Sequence, residues 1–138
     1  MSAWGTGNYE NDAASDWLVD FKKYHSFDFI KTTLQATIDF PYDSWINEQA
    51  IGAAEVLCII KGNYDKDFDI VSFEEWMENN FEKIKEQEIP ADILGLALKV
   101  VEAVEEHSEA KDLWLTAGGD LYFQWCESLK FLKKRLQL

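Results

Sequence analysis

One segment, between Asp43 and Gly62, constrains the fold of this chain more than any other. Its residues are apolar on almost every side of a helix, so no broad polar face is left for solvent. The inward-facing residues are predicted to be Trp45, Ile46, Ala50, Ala53, Ala54, Leu57 and Ile60, and Ile51, Val56, Cys58 and Ile59 cover much of the rest. A helix that is apolar nearly all round is buried on all sides. The sequence therefore predicts a central helix over about residues 44–61, capped by Asp43 or Ser44 and ended by Gly62.

Shorter amphipathic segments on both sides of this helix are predicted to surround it. Their apolar residues recur at helical spacing, and most begin or end at a residue that favours a helix end. The predicted helices run near 12–24, from Ser26 to Pro41, from Ser72 to Ile84, from Pro90 to about Val104, from Ser108 to Gly118 and from Leu121 to Leu136. In the first of them, Tyr24 continues the apolar stripe. We therefore expect one all-α domain over residues 1–138, a compact bundle of about six to seven short helices around the central one.

The charge of the chain argues against two classes of partner. The net charge is −13, from 26 acids and 13 bases. Such a protein repels nucleic acid phosphates and anionic membrane surfaces, whereas it attracts a basic protein. Residues 65–112 hold fifteen acids and five bases, so the acidity is concentrated in the middle of the chain. We expect a basic protein as partner, and neither nucleic acid nor membrane.

The residues that could carry chemistry match no catalytic or metal-binding motif. Cys58 and Cys126 lie inside apolar helical patterns, and their spacing fits neither a disulfide framework nor a zinc site. They are predicted to be reduced, buried thiols of a cytoplasmic protein, with no signal peptide visible at the N-terminus. The acids at positions 65, 67 and 69 begin like a calcium loop, but Ile70 and Trp76 stand where such a loop requires Gly and Glu. We predict no catalytic residue, no metal and no cofactor.

The opening of the chain, AWGTGNYEND, is unlike the amphipathic segments that follow, and two interpretations of it are open. In the structural one, the aromatic residues pack on the bundle, the glycines allow the chain to turn, and Asn11 or Asp12 caps the first helix. In the functional one, Asn8, Glu10, Asn11 and Asp12 form a polar and aromatic binding surface. The structural interpretation explains every residue type in the segment, so we favour it.

The stretch AWGTGNYENDAASDWL, at positions 3–18, resembles the opening of a bacterial domain-of-unknown-function family, number 4259. The tail is also similar to that family, from Ser108 to Trp114 and then through Gly118 and Trp125 to Leu136. Tyr9 departs mildly from the family, in which Phe is common at this position. The resemblance implies a small, mostly helical cytosolic protein, and it implies no established activity or catalytic residue. It groups six residues as a structural signature: Trp4, Gly5, Gly7, Asn11, Asp12 and Trp17.

These observations favour a non-enzymatic, acidic protein that works by binding another protein. The most specific form of this hypothesis is an immunity-type inhibitor that occludes a basic toxin such as a nuclease. The acids expected to contact the partner are Asp65, Asp67, Asp69, Glu74, Glu75, Glu78 and Glu82. The alternative is a carboxylate-based hydrolase, metal-dependent or not, that would use acids of the 65–82 region or Asp12 and Asp16.

Overall fold

Six helices make up most of residues 11–63 and 88–138, the part of the chain that the computed structural model describes. They are α1 (Asp12–Lys23), α2 (Phe27–Asp39), α3 (Ser44–Lys61), α4 (Ala91–Glu106), α5 (Glu109–Ala117) and α6 (Gly119–Gln137). These residues contain no β-strand, and the helices pack into a compact bundle, which confirms the prediction of an all-α fold. The helix predicted from Ser72 to Ile84 lies outside the described residues.

Helix α3 is the centre of the bundle, as its all-round apolar sequence predicts. Every residue from Ala50 to Ile59 is buried, so that no side of this part of the helix faces solvent. The helix packs against each of the other five described helices. Its last turn ends at Gly62, whose φ of 84° is the left-handed conformation that glycine adopts without strain.

Polar side chains begin four of the helices by accepting a hydrogen bond from the backbone N–H three residues later. They are Asn11, Ser26, Asp43 and Ser108, with N···O distances of 2.8, 3.0, 3.2 and 3.0 Å. Each one satisfies a backbone donor that the first helical turn leaves free. The alternatives left open by the sequence are thereby decided. The cap of α1 is Asn11, not Asp12, and the cap of α3 is Asp43, not Ser44.

Apolar periodicity continues past the buried part of some helices, and there the burial prediction was wrong. Trp45, predicted to face inward, is 42% exposed, and Tyr24 is 66% exposed. Trp45 lies in the first turn of α3, and Tyr24 follows the last residue of α1. Periodicity shows which side of a helix faces the core, but it does not show how far along the helix the neighbouring helices extend.

Two buried polar contacts hold the outer helices against each other and against the centre. The indole Nε1 of Trp17 in α1 donates to the hydroxyl of Thr33 in α2, at 2.7 Å. Arg135 in α6 binds the carboxylate of Glu55 in α3 through both terminal nitrogens, with Nη1 2.7 Å from Oε2. Both partners of this ion pair are almost fully buried. The C-terminal helix is therefore fastened to the central one by a buried ion pair.

Candidate partner-binding surface

Most of the residues that sequence reasoning assigned to a site lie outside the described residues. They are the seven predicted partner-binding acids, Asp65, Asp67, Asp69, Glu74, Glu75, Glu78 and Glu82, and the signature residues Trp4, Gly5 and Gly7. Their assignment stays a prediction. The structure places the other three signature residues, Asn11, Asp12 and Trp17.

Two of these three signature residues have structural roles in the first helix. Asn11 is buried and caps α1, and Trp17 is buried against α2 with its indole N–H bonded to Thr33. Asp12 is exposed in the first turn, where a negative charge is favoured by the helix dipole. The described half of the signature therefore fits the structural interpretation of the opening segment.

Several charged residues of α3 to α6 are already paired with groups of this protein. Lys133 of α6 donates to Glu105 of α4 at 2.8 Å, and Arg135 binds Glu55. Glu109, at the start of α5, accepts a hydrogen bond at 2.9 Å from the backbone N–H of Ser44. These groups hold helices together, so they are poor candidates for a partner surface.

An acidic and aromatic surface lies instead at the connection between α2 and α3. Phe40 is 63% exposed and Tyr42 is 65% exposed, and Trp45 follows in the first turn of α3. Phe40 and Tyr42 line an open depression of about 590 Å³, whose other lining residues are Asp39, Pro41, Asp43 and Ile46. We call this set, with Trp45, the 39–46 surface. Large apolar side chains clustered in solvent are typical of interaction sites.

The backbone of the 39–46 surface is fixed from several sides. The N–H of Phe40 closes the last turn of α2 on Ala36 O at 2.8 Å, and the hydroxyl of Thr37 donates to Ile46 O at 3.3 Å. The start of α5 holds the connection from outside it. The N–H of Glu109 donates to Pro41 O at 3.3 Å, while its carboxylate accepts from the N–H of Ser44. A surface held in this way needs little ordering when a partner binds.

The two carboxylates of this surface have no ion-pair partner among the described residues. Within residues 11–63 and 88–138, Asp39 accepts only from the side-chain amide of Gln35, at 3.2 Å, and Asp43 accepts the capping hydrogen bond at the start of α3. Both residues are exposed. Asp39 also lies in the last turn of α2, where the helix dipole disfavours a negative charge. A cation brought by a partner would therefore be attracted to both groups.

Sequence reasoning missed this surface because it sought the partner site among the acids of residues 65–82 and made no prediction for Phe40 and Tyr42. The segment Phe40-Pro41-Tyr42 lies between two helices, where a proline interrupts the helical period. Two aromatic residues on either side of that proline belong to no apolar stripe. Their position outside every apolar stripe was the signal that could have identified these two aromatic residues as exposed.

Of the two cysteines predicted to be buried, Cys58 is buried and Cys126 is only half-buried. Burial, together with the nearby Glu55 carboxylate, raises the pKa of the Cys58 thiol to about 12, so Cys58 is an unreactive thiol at neutral pH. Residues 11–63 and 88–138 contain no group of three or more His, Cys, Asp or Glu side chains that could hold a metal ion. The acids of the hydrolase hypothesis in the 65–82 region lie outside these ranges, so that alternative stays a prediction.

Comparison with known families gives one match, which covers most of the chain. The model of the family described as domain of unknown function DUF4259 matches residues 2–128. The chain belongs to this family. The match includes α1 to α5, the first half of α6 and the whole 39–46 surface, whereas Arg135 lies beyond it. The family predicted from the opening and the tail is thus confirmed, and the end of the tail, residues 129–136, lies beyond the match.

Two further comparisons found nothing similar. Neither the curated proteins nor the solved structures contain a match to this chain. Within the described residues, no helix has the length and apolar character needed to cross a membrane.

Proposed function

We propose that this protein is a non-enzymatic, acidic binding protein that recognises a basic protein through the 39–46 surface. The observation that carries the proposal is the exposed pair Phe40 and Tyr42, which line a fixed depression beside the carboxylates of Asp39 and Asp43. In its most specific form, the protein is an immunity-type inhibitor that acts in the bacterial cytoplasm and occludes a basic toxin such as a nuclease.

In this proposal, charge and aromatic area have different roles: charge speeds the encounter with the partner, and the aromatic side chains supply the binding energy. Aromatic residues are enriched in the centres of protein interfaces, and a few of them supply most of the binding energy there. Full burial of a fully exposed Phe side chain contributes about 1.5–3 kcal/mol, and Phe40, which is 63% exposed, can supply part of that amount. The net charge of −13 speeds the encounter with a basic partner and rejects acidic ones. The predicted acids of residues 65–82 would add to this steering.

Inhibition by such a protein requires no chemical step. A rigid helical bundle that covers the basic active-site cleft of a toxin excludes the substrate by occupying its place. The reaction of the toxin is blocked as long as the complex lasts, so slow dissociation matters more than fast association. Buried aromatic side chains are the feature that slows dissociation.

A pull-down from cells of the source organism tests the proposal. The bait is the full chain, compared with a Phe40→Ala/Tyr42→Ala variant. The control is Phe123→Ala, since Phe123 lies on α6 and is also 63% exposed. We expect wild type and control to retain one basic protein at about 0.05 M salt and to lose part of it at about 0.5 M. The double variant should bind it at least about tenfold more weakly.

Equal retention by the double variant and by the control would contradict the proposal, as would an acidic partner. The immunity form has its own test, in which the captured protein is expressed alone and together with the wild-type chain. Growth arrest that the wild-type chain relieves, and that the double variant relieves poorly, is the expected result. A captured protein that is harmless when expressed alone would rule out the immunity form.

A further inference from the structure

We infer that the group recognised at the 39–46 surface is an arginine side chain carried on an exposed segment of the partner. This inference rests on the proposed function, because it names the chemistry that the proposed binding surface selects. It follows from the kinds of side chain that surround the depression and from the charge that they leave unbalanced.

The surface combines the two groups that a guanidinium binds at once. Phe40 and Tyr42 offer exposed aromatic rings, on which a planar guanidinium stacks. Asp39 and Asp43 offer carboxylates, to which the same guanidinium donates paired hydrogen bonds. A lysine ammonium is a strongly hydrated point charge, so it uses the rings and the carboxylate geometry less well.

The same combination occurs inside this protein. The guanidinium carbon of Arg135 lies 4.3 Å from the centre of the Phe131 ring, while its terminal nitrogens bind the carboxylate of Glu55. One arginine thus satisfies an aromatic face and a carboxylate together within this fold. The 39–46 surface presents both elements in solvent, and neither of its carboxylates forms an ion pair with a described base.

The electrostatic position of the two aspartates also favours a cation. Neither forms an ion pair within residues 11–63 and 88–138, and Asp39 lies at the unfavourable end of the α2 dipole. A bound cation would neutralise this charge and would so relieve the unfavourable interaction of the Asp39 carboxylate with the α2 dipole.

Amide chemical shifts of the full-length protein, titrated with short blocked peptides, test the inference. The probe is a pentapeptide with arginine between glycines, and the controls carry lysine or the neutral isostere citrulline instead. We expect saturable shifts confined to the neighbourhood of residues 39–46, with a dissociation constant on the order of 1 mM for the arginine peptide. The lysine peptide should bind about tenfold more weakly, and the citrulline peptide more weakly still.

Two variants separate the contributions of charge and ring. Asp39→Asn/Asp43→Asn removes both charges, and it preserves the start of α3 because asparagine caps a helix as well as aspartate does. Phe40→Leu/Tyr42→Leu removes the rings and keeps apolar side chains there. We expect each pair to weaken arginine binding about tenfold, whereas Phe123→Leu leaves it unchanged.

Several results would overturn the inference: equal binding of the lysine or citrulline peptide, shifts centred elsewhere, or no saturable shift. Sedimentation showing a dimer that Phe40→Leu/Tyr42→Leu dissociates would assign the surface to a second copy of this chain instead.

These outcomes are separable from failure of the proposed function. A basic partner that depends on Phe40 and Tyr42 but binds without an arginine contradicts only the inference. Arginine-selective peptide binding without any basic partner in the pull-down contradicts only the proposed function.

Discussion

Single polar side chains make the junctions between helices in this protein. Asn47 of α3 is fully buried, and its side-chain oxygen accepts from the N–H of Ala110 at 3.3 Å. In return, the carboxylate of Glu109 binds the N–H of Ser44 at 2.9 Å. Each of α3 and α5 thus supplies a side-chain acceptor to the first turn of the other, and these two hydrogen bonds fix the 39–46 surface beside them. The sequence predicted that a helix begins at Ser108, but it held no sign that Glu109 would cap a different helix.

The cap of α1 gives the first prediction at the residue scale. Asn11→Ala should lower the free energy of unfolding by about 1 kcal/mol, because the N–H of Ala14 loses its bond to a buried side chain. Asp12→Ala is the control, and it should cost less, since Asp12 is exposed and makes no capping bond. Urea unfolding monitored by circular dichroism measures both. A larger loss for Asp12→Ala would show that the cap is wrongly assigned.

A second prediction concerns a conflict between stability and binding at Asp39. Asp39→Asn should raise stability by about 0.3–1 kcal/mol, because it removes a negative charge from the C-terminal turn of α2. It should at the same time weaken binding of the basic partner. Asp28→Asn in the first turn of the same helix is the matched control, and it should lower stability. Thermal unfolding and partner binding measured on both variants decide the matter. A stability loss in Asp39→Asn would contradict the electrostatic argument.

At the scale of elements, the sequence predicted those features that depend on local period and local caps. The central position of α3, the cap at Ser26 and the new helix after Ser108 follow from apolar pattern and capping chemistry. The exposure of Trp45 does not, because it depends on where the neighbouring helices end. The pairing of Glu55 with Arg135 does not either, since 80 residues separate them in the chain.

The buried ion pair between Glu55 of α3 and Arg135 of α6 should stabilise the fold as a unit, so that removing one partner costs more stability than replacing both. Glu55→Gln or Arg135→Met alone should lower the free energy of unfolding by about 3–5 kcal/mol, because each leaves a buried group without its partner. The double variant Glu55→Leu/Arg135→Met should recover most of this loss, since apolar residues replace both charges. Denaturant unfolding of the three variants forms the test. Additive losses in the double variant would show that the two residues act independently.

The buried carboxyl of Glu48, in α3, should make the stability of the protein depend on pH. Burial, with a smaller contribution from the nearby Asp12 carboxylate, raises the pKa of the Glu48 carboxyl from 4.5 to about 7. The folded state therefore binds the proton more tightly than the unfolded state does. This contribution to stability is complete below about pH 4.5 and is lost as the pH rises towards about 7.

Unfolding experiments from pH 4.5 to 8 measure this dependence. Over that range the stability of the wild type should fall relative to that of Glu48→Gln, which cannot ionise at this position. Glu102→Gln, a change at an exposed residue of α4, should keep the pH dependence of the wild type. Parallel curves for wild type and Glu48→Gln would rule out this origin of the pH dependence.

At the scale of the whole molecule, charge and exposed aromatic area suggest the same kind of partner. The net charge of −13 predicts a basic protein as partner, since it follows from composition alone. The place of contact that we propose does not follow from composition. Sequence reasoning selected the acids of residues 65–82, whereas the 39–46 surface contains two aspartates and depends on the way α5 fixes the connection between α2 and α3.

The central claim is that a basic protein contacts the 39–46 surface in the cell. The most direct measurement places a photo-crosslinking amino acid at position 42, in place of Tyr42, with the same replacement of Phe123 as control. After irradiation of living cells, mass spectrometry identifies what is attached. We predict one basic protein, attached through an arginine-containing segment at position 42 and absent at position 123. The same products at both positions, or none at position 42, would contradict the claim.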